Sequence, residues 1–251
     1  MIFAFMKNVY GLIGKKLSHS FSKEYFTKKF QSENFKDCTY ELWELDSLDN
    51  FKNFFNEKKF VKGFNVTIPY KEEILLYLDE LNEDVKMIGA CNCVKIVNGE
   101  WIGYNTDWWG FLKMIENKLE SYHSAAMILG TGGASKAIAY ALKQLNIPYI
   151  FITRANKLSE KFILYDELEQ EHFEQYNIII NTTPVGMYPE VNNLPPIPIN
   201  FIYEKNFVID IIYNPEKTLL LQKAEEKGAK ILNGLEMLNL QAEKSWEIWQ
   251  E

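Results

Sequence analysis

Residues 125–137 read AAMILGTGGASKA. Five small or apolar residues, Ala125 to Leu129, have the length and composition of a buried strand. Gly130-Thr131-Gly132-Gly133 then turns the chain, and Ala134 to Leu145 has the spacing of a helix. A glycine-rich turn between a strand and a helix does two physical jobs. It allows a tight backbone bend, and it lets amide N–H groups approach an anion at the positive end of the helix dipole. The pattern is a variant of the dinucleotide fingerprint, because Ser135 stands where the last glycine is usual. In this strand–turn–helix context it predicts a pyrophosphate-binding turn; alone, it reads equally as an ordinary glycine turn.

The same alternation continues downstream. Tyr149 to Thr153, Asn177 to Asn181 (NIIIN), Phe207 to Ile212 and Ala229 to Leu232 read as strands. Leu219 to Gly228 reads as a helix ending in glycine. Strands alternating with helices predict a parallel, doubly wound sheet. Trp108 to Leu119 is an amphipathic helix leading into this region. Leu235 to Gln250 is a closing helix with Leu238, Ala242, Ser245 and Trp249 on one face. Leu194-Pro195-Pro196-Ile197-Pro198 reads as a stiff, extended surface loop.

Upstream, the first hundred residues read as a separate α/β unit. Val9 to Gly14 is a short buried strand, Ser22 to Phe30 a helix, and Cys38 to Leu45 a strand. Asp46-Ser47 opens a helix through Phe54-Phe55. Gly63 to Ile68 is a strand, and Pro69 with Glu72 and Glu73 marks a helix start. Cys93 to Val97 and Glu100 to Tyr104 flank Asn98-Gly99, a hairpin signal because both turn residues tolerate positive φ.

Composition narrows the function classes. The chain has 251 residues, 47% of them hydrophobic and 24% charged, with a formal net charge of −7. A mildly acidic globular protein is poorly suited to nucleic acid or anionic membranes, both of which need clustered positive charge. The pairs Lys15-Lys16, Lys28-Lys29 and Lys58-Lys59 read as solvated faces. No apolar run is long enough for a membrane span. MIFAFM at residues 1–6 is too short for a signal-peptide core, and initiation at Met6 would lead straight into the first strand. Cys38, Cys91 and Cys93 lack the spacing of a zinc or disulfide site, so no metal is expected and a reducing cytoplasm is.

Several polar residues stand out. After the second strand of the glycine-turn unit, an NAD site would place an acid on the ribose hydroxyl. Here Thr153-Arg154 is followed by Asn156 and Lys157, a cationic group that fits a 2′-phosphate and so favours NADP. Asn65, Thr67 and Lys71 in NVTIPYK put an amide, a hydroxyl and an amine at a strand–helix junction. Asn65 and Thr67 share a side of the strand, and Lys71 falls on the first turn of the following helix. Asp107 reads most simply as a cap before Trp108. Ser18-His19-Ser20-Phe21-Ser22 reads as a capping loop, and His19 has no metal partners.

Together these segments resemble the shikimate dehydrogenase family. The matching stretches are GLIGKKLSHSFS, FNVTIPYK, GACNCV, GYNTDWWG, ILGTGGASKA, NTTPVGM, DIIYNPEKT and NGLEMLNLQA, in the family's order and across nearly the whole chain. The resemblance implies an N-terminal α/β substrate domain, residues 1–106 with 235–251, and a Rossmann-like NADP domain, residues 107–234. It implies reversible, NADP(H)-dependent reduction of 3-dehydroshikimate to shikimate. The serines matching Ser20 and Ser22 hold the substrate carboxylate. Asn65, Thr67, Asn92 and Gln241 bond the ring hydroxyls, and Tyr213 faces the substrate. Lys71 and Asp107 form the catalytic pair. Gly130, Thr131, Gly132, Gly133, Ala134, Thr153 and Arg154 hold NADP, with Lys157 standing in for a second arginine. Thr183 and Met187 flank the cofactor, and Ile211 and Gly234 lie by the nicotinamide. The chain departs from the family at Lys23, where proline is common, at Cys93, where threonine is usual, and at Thr153, where asparagine is. Two other readings remain open: a quinate/shikimate dehydrogenase using NAD, which Arg154 opposes, and a non-catalytic metabolite-sensing module on the same fold, which the Lys71/Asp107 pair opposes. A monomer or homodimer is expected.

Overall fold

The computed structural model describes residues 8–18, 20–49, 51–56, 58, 60–154 and 161–251. The apolar start with its Met1/Met6 question, His19, Lys59, Asn156 and Lys157 lie outside the described residues. The chain forms two compact units. One runs to Thr106 and is taken up again at Ala242–Glu251; the other is Asp107–Gln241.

The first unit contains β1 (Asn8–Gly14), α1 (Phe21–Ser32), β2 (Cys38–Glu44), α2 (Phe51–Asn56), β3 (Val61–Val66), β4 (Glu80–Leu81), α3 (Glu83–Ile88), β5 (Cys93–Val97) and β6 (Glu100–Tyr104). Its mixed sheet has the order β2-β1-β3-β5-β6-β4. Alternation along the strands sends side chains to two cores. Tyr10, Leu12, Tyr40 and Cys93 join Phe26, Phe30, Trp246 and Trp249 in one. Ile13, Trp43, Phe64 and Val94 join Phe51, Phe55 and Trp101 in the other. Both are aromatic: Phe26 stacks on Tyr40 at 4.5 Å and Phe55 on Phe64 at 4.9 Å. Truncating a fully buried phenylalanine such as Phe26 or Phe64 costs about 3–5 kcal/mol. The hairpin forms as the sequence predicts, with Asn98 and Gly99 at φ 54° and 89°.

The second unit contains α4 (Asp107–Ile115), β7 (Ala126–Leu129), α5 (Gly133–Gln144), β8 (Tyr149–Thr153), β9 (Phe162–Leu164), α6 (Gln170–Gln175), β10 (Ile178–Asn181), β11 (Phe207–Asp210), α7 (Leu219–Glu226), β12 (Lys230–Asn233) and the start of α8 (Leu235–Gln250). All six strands are parallel, in the order β12-β11-β10-β7-β8-β9. Counted from β7, the order is 6-5-4-1-2-3, which is the doubly wound, Rossmann-like arrangement. Ala126 and Ile128 face one core, while Met127 and Leu129 face the other. The sheet is thus covered on both faces, as a parallel sheet requires.

Several local expectations change, each for an identifiable reason. The Asp46–Phe55 helix starts only at Phe51, because the Ser47 hydroxyl accepts the Asp49 amide at 3.2 Å and holds a turn there. No α-helix follows Pro69. The chain makes turns and then a 3₁₀ segment, Glu73–Tyr77, because the Lys71 carbonyl is taken by the Cys91 amide at 2.7 Å. Lys71 therefore does not sit on a helix's first turn, the position that its place after Pro69 predicts. α4 ends at Ile115, where Lys118 Nζ takes the Met114 carbonyl at 2.7 Å. The 194–198 loop is no mere surface loop, since Pro195 and Ile197 are buried and Ile197 joins a core. Lys29 is not solvated either. Its side chain is 9% exposed and lies between Glu33 (2.7 Å) and Glu243 (2.8 Å).

Candidate active site

In the first unit the polar residues of interest gather where β1, β3 and the start of β5 end. Asn65 is buried near the end of β3, opposite Cys93 of β5. Its Nδ2 donates to the Asn92 carbonyl (3.1 Å) and to Ser245 Oγ (2.9 Å). Its Oδ1 accepts from the Tyr40 hydroxyl at 2.8 Å. Burial pushes the Tyr40 phenol well up, and the nearby Ser22 hydroxyl offsets part of that push. Asn92 is buried too; its Oδ1 accepts the Thr106 amide (2.6 Å) and its Nδ2 donates to Thr106 Oγ1 (3.0 Å). Thr106 Oγ1 lies 3.2 Å from Ser245 Oγ. Asn65 and Asn92 are thus joined, with Tyr40, Thr106 and Ser245, in one hydrogen-bonded set. Such a set fixes side-chain direction before any ligand arrives.

Thr67 follows β3, and its amide donates to the Ile13 carbonyl at 2.9 Å. Lys71 is half-buried and held by the backbone bond to Cys91, next to Asn92 in sequence. Ser20 occupies the N-cap position of α1, yet its side chain makes no capping bond. The capping explanation for this serine therefore fails, and its hydroxyl is not spent on the helix end. Tyr40 and Ser245 were not legible as site residues, being an aromatic on a strand and a serine on an otherwise apolar helix face. The second of these carried a signal, since a lone hydroxyl among Ala242 and Trp249 needs a partner.

In the second unit the residues of interest lie at the C-terminal ends of the strands. The glycine turn follows β7, at the point where strand order reverses, which is where doubly wound sheets bind ligands. Gly130 has φ +107°, a conformation that L side chains rarely adopt, and a Cβ there would meet Thr182 Oγ1 at 3.0 Å. Gly132 is the N-cap of α5, and a Cβ built on it meets nothing within 4 Å. The turn is therefore tight on its protein side and open beyond Gly132, which fits a pyrophosphate at the helix start. Ser135, the departure from the glycine pattern, is buried. It donates to Thr182 Oγ1 at 2.7 Å, since the Thr182 proton goes to the Leu129 carbonyl. Serine here ties α5 to the end of β10.

Thr153 is buried at the end of β8, and Arg154 beyond it is exposed. Burial raises the Tyr165 phenol to about 12, and the nearby Arg154 charge pulls it down. Thr183 lies in the turn after β10, with its amide and hydroxyl both donating to Asn181 Oδ1, at 3.1 and 2.7 Å. Met187 is 43% exposed. Gly234 is pressed against the chain after β11: a Cβ would lie 2.0 Å from the Ile211 carbonyl oxygen. Tyr213 is half-buried in that same segment. Asp107, the first residue of α4, is buried. Gln241 Nε2 donates to the Leu238 carbonyl at 2.8 Å. Among the described residues, no group of three His, Cys, Asp or Glu side chains could hold a metal ion, and no helix is long and apolar enough to cross a membrane.

A six-stranded parallel sheet of this order, with a glycine turn at its reversal, defines a dinucleotide-binding α/β protein. Residues 12–94 match the family described as the shikimate dehydrogenase substrate binding domain. A shikimate dehydrogenase (NADP(+)) of Methanococcus vannielii is 40% identical over 95% of this chain and 90% of its own length. The crystal structure of a shikimate dehydrogenase from Aquifex aeolicus is similar with a TM-score of 0.86, at 37% identity, covering 99% of this chain and 94% of that one. A shikimate 5-dehydrogenase from Thermus thermophilus, solved in complex with NADP(H) and shikimate, is similar with a TM-score of 0.85, at 28% identity over 96% and 92%. The chain belongs to the shikimate dehydrogenase family.

Proposed function

We propose that this protein is an NADP(H)-dependent shikimate dehydrogenase, an oxidoreductase that interconverts 3-dehydroshikimate and shikimate on the route to chorismate and the aromatic amino acids. The observation that carries the reading is similarity to enzymes of that name along nearly the whole chain, at 40% identity. The bound nicotinamide supplies or accepts the hydride at C3. Gly130, Thr131, Gly132, Gly133 and Ala134 present backbone amides to the pyrophosphate at the start of α5. Arg154 takes the 2′-phosphate, with Thr153 and Lys157 beside it in sequence. Thr183, Met187, Ile211 and Gly234 shape the nicotinamide end.

Ser20 and Ser22 donate to the substrate carboxylate. Asn65, Thr67, Asn92 and Gln241 bond the ring hydroxyls, and Tyr213 faces the ring. Asn65 and Asn92 already belong to one hydrogen-bonded set, so little ordering of these two is left for the substrate to impose. As the C3 carbonyl is reduced, Lys71 gives a proton to the developing alkoxide, and in the reverse direction it takes the hydroxyl proton. Asp107 orients Lys71 and bonds the same hydroxyl. The substrate domain is residues 1–106 with the last helix, and the cofactor domain is 107–234. The enzyme works in the cytoplasm as a monomer or homodimer.

The test is to add shikimate and NADP+ to the folded protein at alkaline pH and follow the absorbance of the reduced cofactor. Turnover is expected, faster with NADP+ than with NAD+. Absence of turnover with either cofactor would leave the metabolite-sensing reading in its place.

A further inference from the structure

Asp210 ends β11 with no exposed surface, and the reaction described above gives it nothing to do. Its Oδ1 accepts from Asn181 Nδ2 and from the Ile212 amide, both at 3.1 Å. Its Oδ2 accepts from the Thr218 hydroxyl at 2.7 Å. Each partner controls a different piece of chain. Asn181 closes β10, holds Thr183 through Oδ1, and reaches the Val185 carbonyl at 3.4 Å. Ile212 lies between Ile211 and Tyr213. Thr218 is the N-cap of α7 and accepts the Leu221 amide at 3.4 Å. The loops after β10 and β11 also bond each other directly, Tyr188 amide to Asn214 carbonyl at 3.2 Å. On the far side, the Gly234 amide donates to the Ile212 carbonyl at 3.1 Å.

One buried carboxylate thus gathers the exits of two adjacent strands and the start of a helix. Burial pushes its carboxyl up to about 6, against three hydrogen bonds that pull it down. That is a costly way to join these segments, because apolar contacts do so without burying a charge. What a carboxylate adds is direction: four lone-pair sites fix where three separate donors sit. The residues those donors control are Thr183, Ile211 and Tyr213.

We propose that Asp210 is the positioning residue for the nicotinamide end of the cofactor, holding the loops after β10 and β11 in the binding arrangement before the cofactor arrives. The inference rests on the NADP reading above. Asp210 touches neither cofactor nor substrate; it acts through Asn181, Ile212 and Thr218.

The experiment compares Asp210→Ala, Asp210→Asn and Thr218→Val with wild type, each confirmed folded by circular dichroism at the assay temperature. Asp210→Ala should raise the KM for NADP+ and lower kcat, each about tenfold, while the KM for shikimate moves less than about threefold, as misplacement of a reacting group predicts. Asp210→Asn keeps an oxygen for Asn181 and Ile212 and should lose less. Thr218→Val removes one of the three donors and should raise the KM for NADP+ by at least about threefold, which carries the test if Asp210→Ala does not fold. A lower melting temperature with unchanged NADP+ kinetics in these variants would overturn the proposal and leave Asp210 a stabilising residue only. Wild-type protein without NADP-dependent turnover would overturn the underlying reading instead.

Discussion

The buried carboxylate of Asp210 makes a quantitative claim about stability. Its folded-state pKa is about 6, against an ordinary value of 3.8, with burial as the main cause. The native state therefore binds this proton more tightly than the unfolded chain does. Stability from this group is fully present below pH about 4 and is lost as pH rises through about 6. The difference of about two units corresponds to roughly 3 kcal/mol at 1.36 kcal/mol per unit. The raw pH profile of the protein mixes this with opposite effects. Asp79, bonded by Lys52, and Glu24, bonded by Lys28, have lowered pKa values and lose stability as pH falls. Asp210→Asn removes the titration at 210 and leaves the others, so the difference between the two proteins isolates it. Urea unfolding at half-unit steps from pH 4 to 7 should show the variant gaining on wild type by roughly 3 kcal/mol across that window. A constant offset from lost or altered hydrogen bonds does not affect the slope. Parallel curves would mean that Asp210 keeps an ordinary pKa and that its burial is relieved in solution.

Other expectations concern the reaction itself. Lys71→Ala and Asp107→Ala should each lower kcat by about 10²–10⁴-fold, with the double variant little worse than the worse single one; strictly multiplicative losses would show independent action. Arg154→Ala should raise the KM for NADP+ at least about tenfold and leave NAD+ kinetics nearly unchanged, and an equal loss with both would assign Arg154 to the fold. Gly234→Ala places a methyl 2.0 Å from the Ile211 carbonyl oxygen, so the protein should lose stability and cofactor affinity together; wild-type melting and kinetics would show that the two segments separate easily. Ser20→Ala should narrow a roughly 5–150-fold preference for shikimate over quinate in kcat/KM, since quinate carries a tetrahedral carbon and an extra hydroxyl. An unchanged ratio with lower melting temperature would make Ser20 structural.

The second unit was largely legible because its signals are local. AMIL, YIFIT, IIIN and FVID are short apolar runs bounded by turn residues, and the glycine turn separates strand from helix. β9 and α6 escaped. Phe162–Leu164 is three residues long, and Gln170–Gln175 buries only Phe173, so neither has a period to read. α3 escaped although Asn82 caps it and Gly89 closes it at φ 71°; six residues are too few to show a face. The helix expected after Pro69 failed for a non-local reason, the Lys71–Cys91 bond between residues twenty apart in the chain. The candidate site divides in the same way. Its motif residues stand in the sequence as short polar runs. The residues that hold them, Tyr40, Ser245 and Asp210, look like ordinary strand and helix members until the chain is folded.

The order in which this chain is made does not match the order in which its units can be finished. The first unit's core includes Trp246 and Trp249, and its polar set includes Ser245, all from Ala242–Gln250. Residues to Thr106 leave the ribosome first, yet that core has no closing helix until residue 242 and beyond have been translated. At about 5–20 residues per second, the 135 positions from Asp107 to Gln241 take roughly 7–27 s. The second unit, contiguous from Asp107 to Gln241, has every strand of its sheet by then. During that interval Tyr10, Phe26, Phe30 and Tyr40 lack the tryptophans that cover them. A nascent chain stalled before Ala242 should therefore present an aromatic surface to chaperones, which appending the last ten residues would erase.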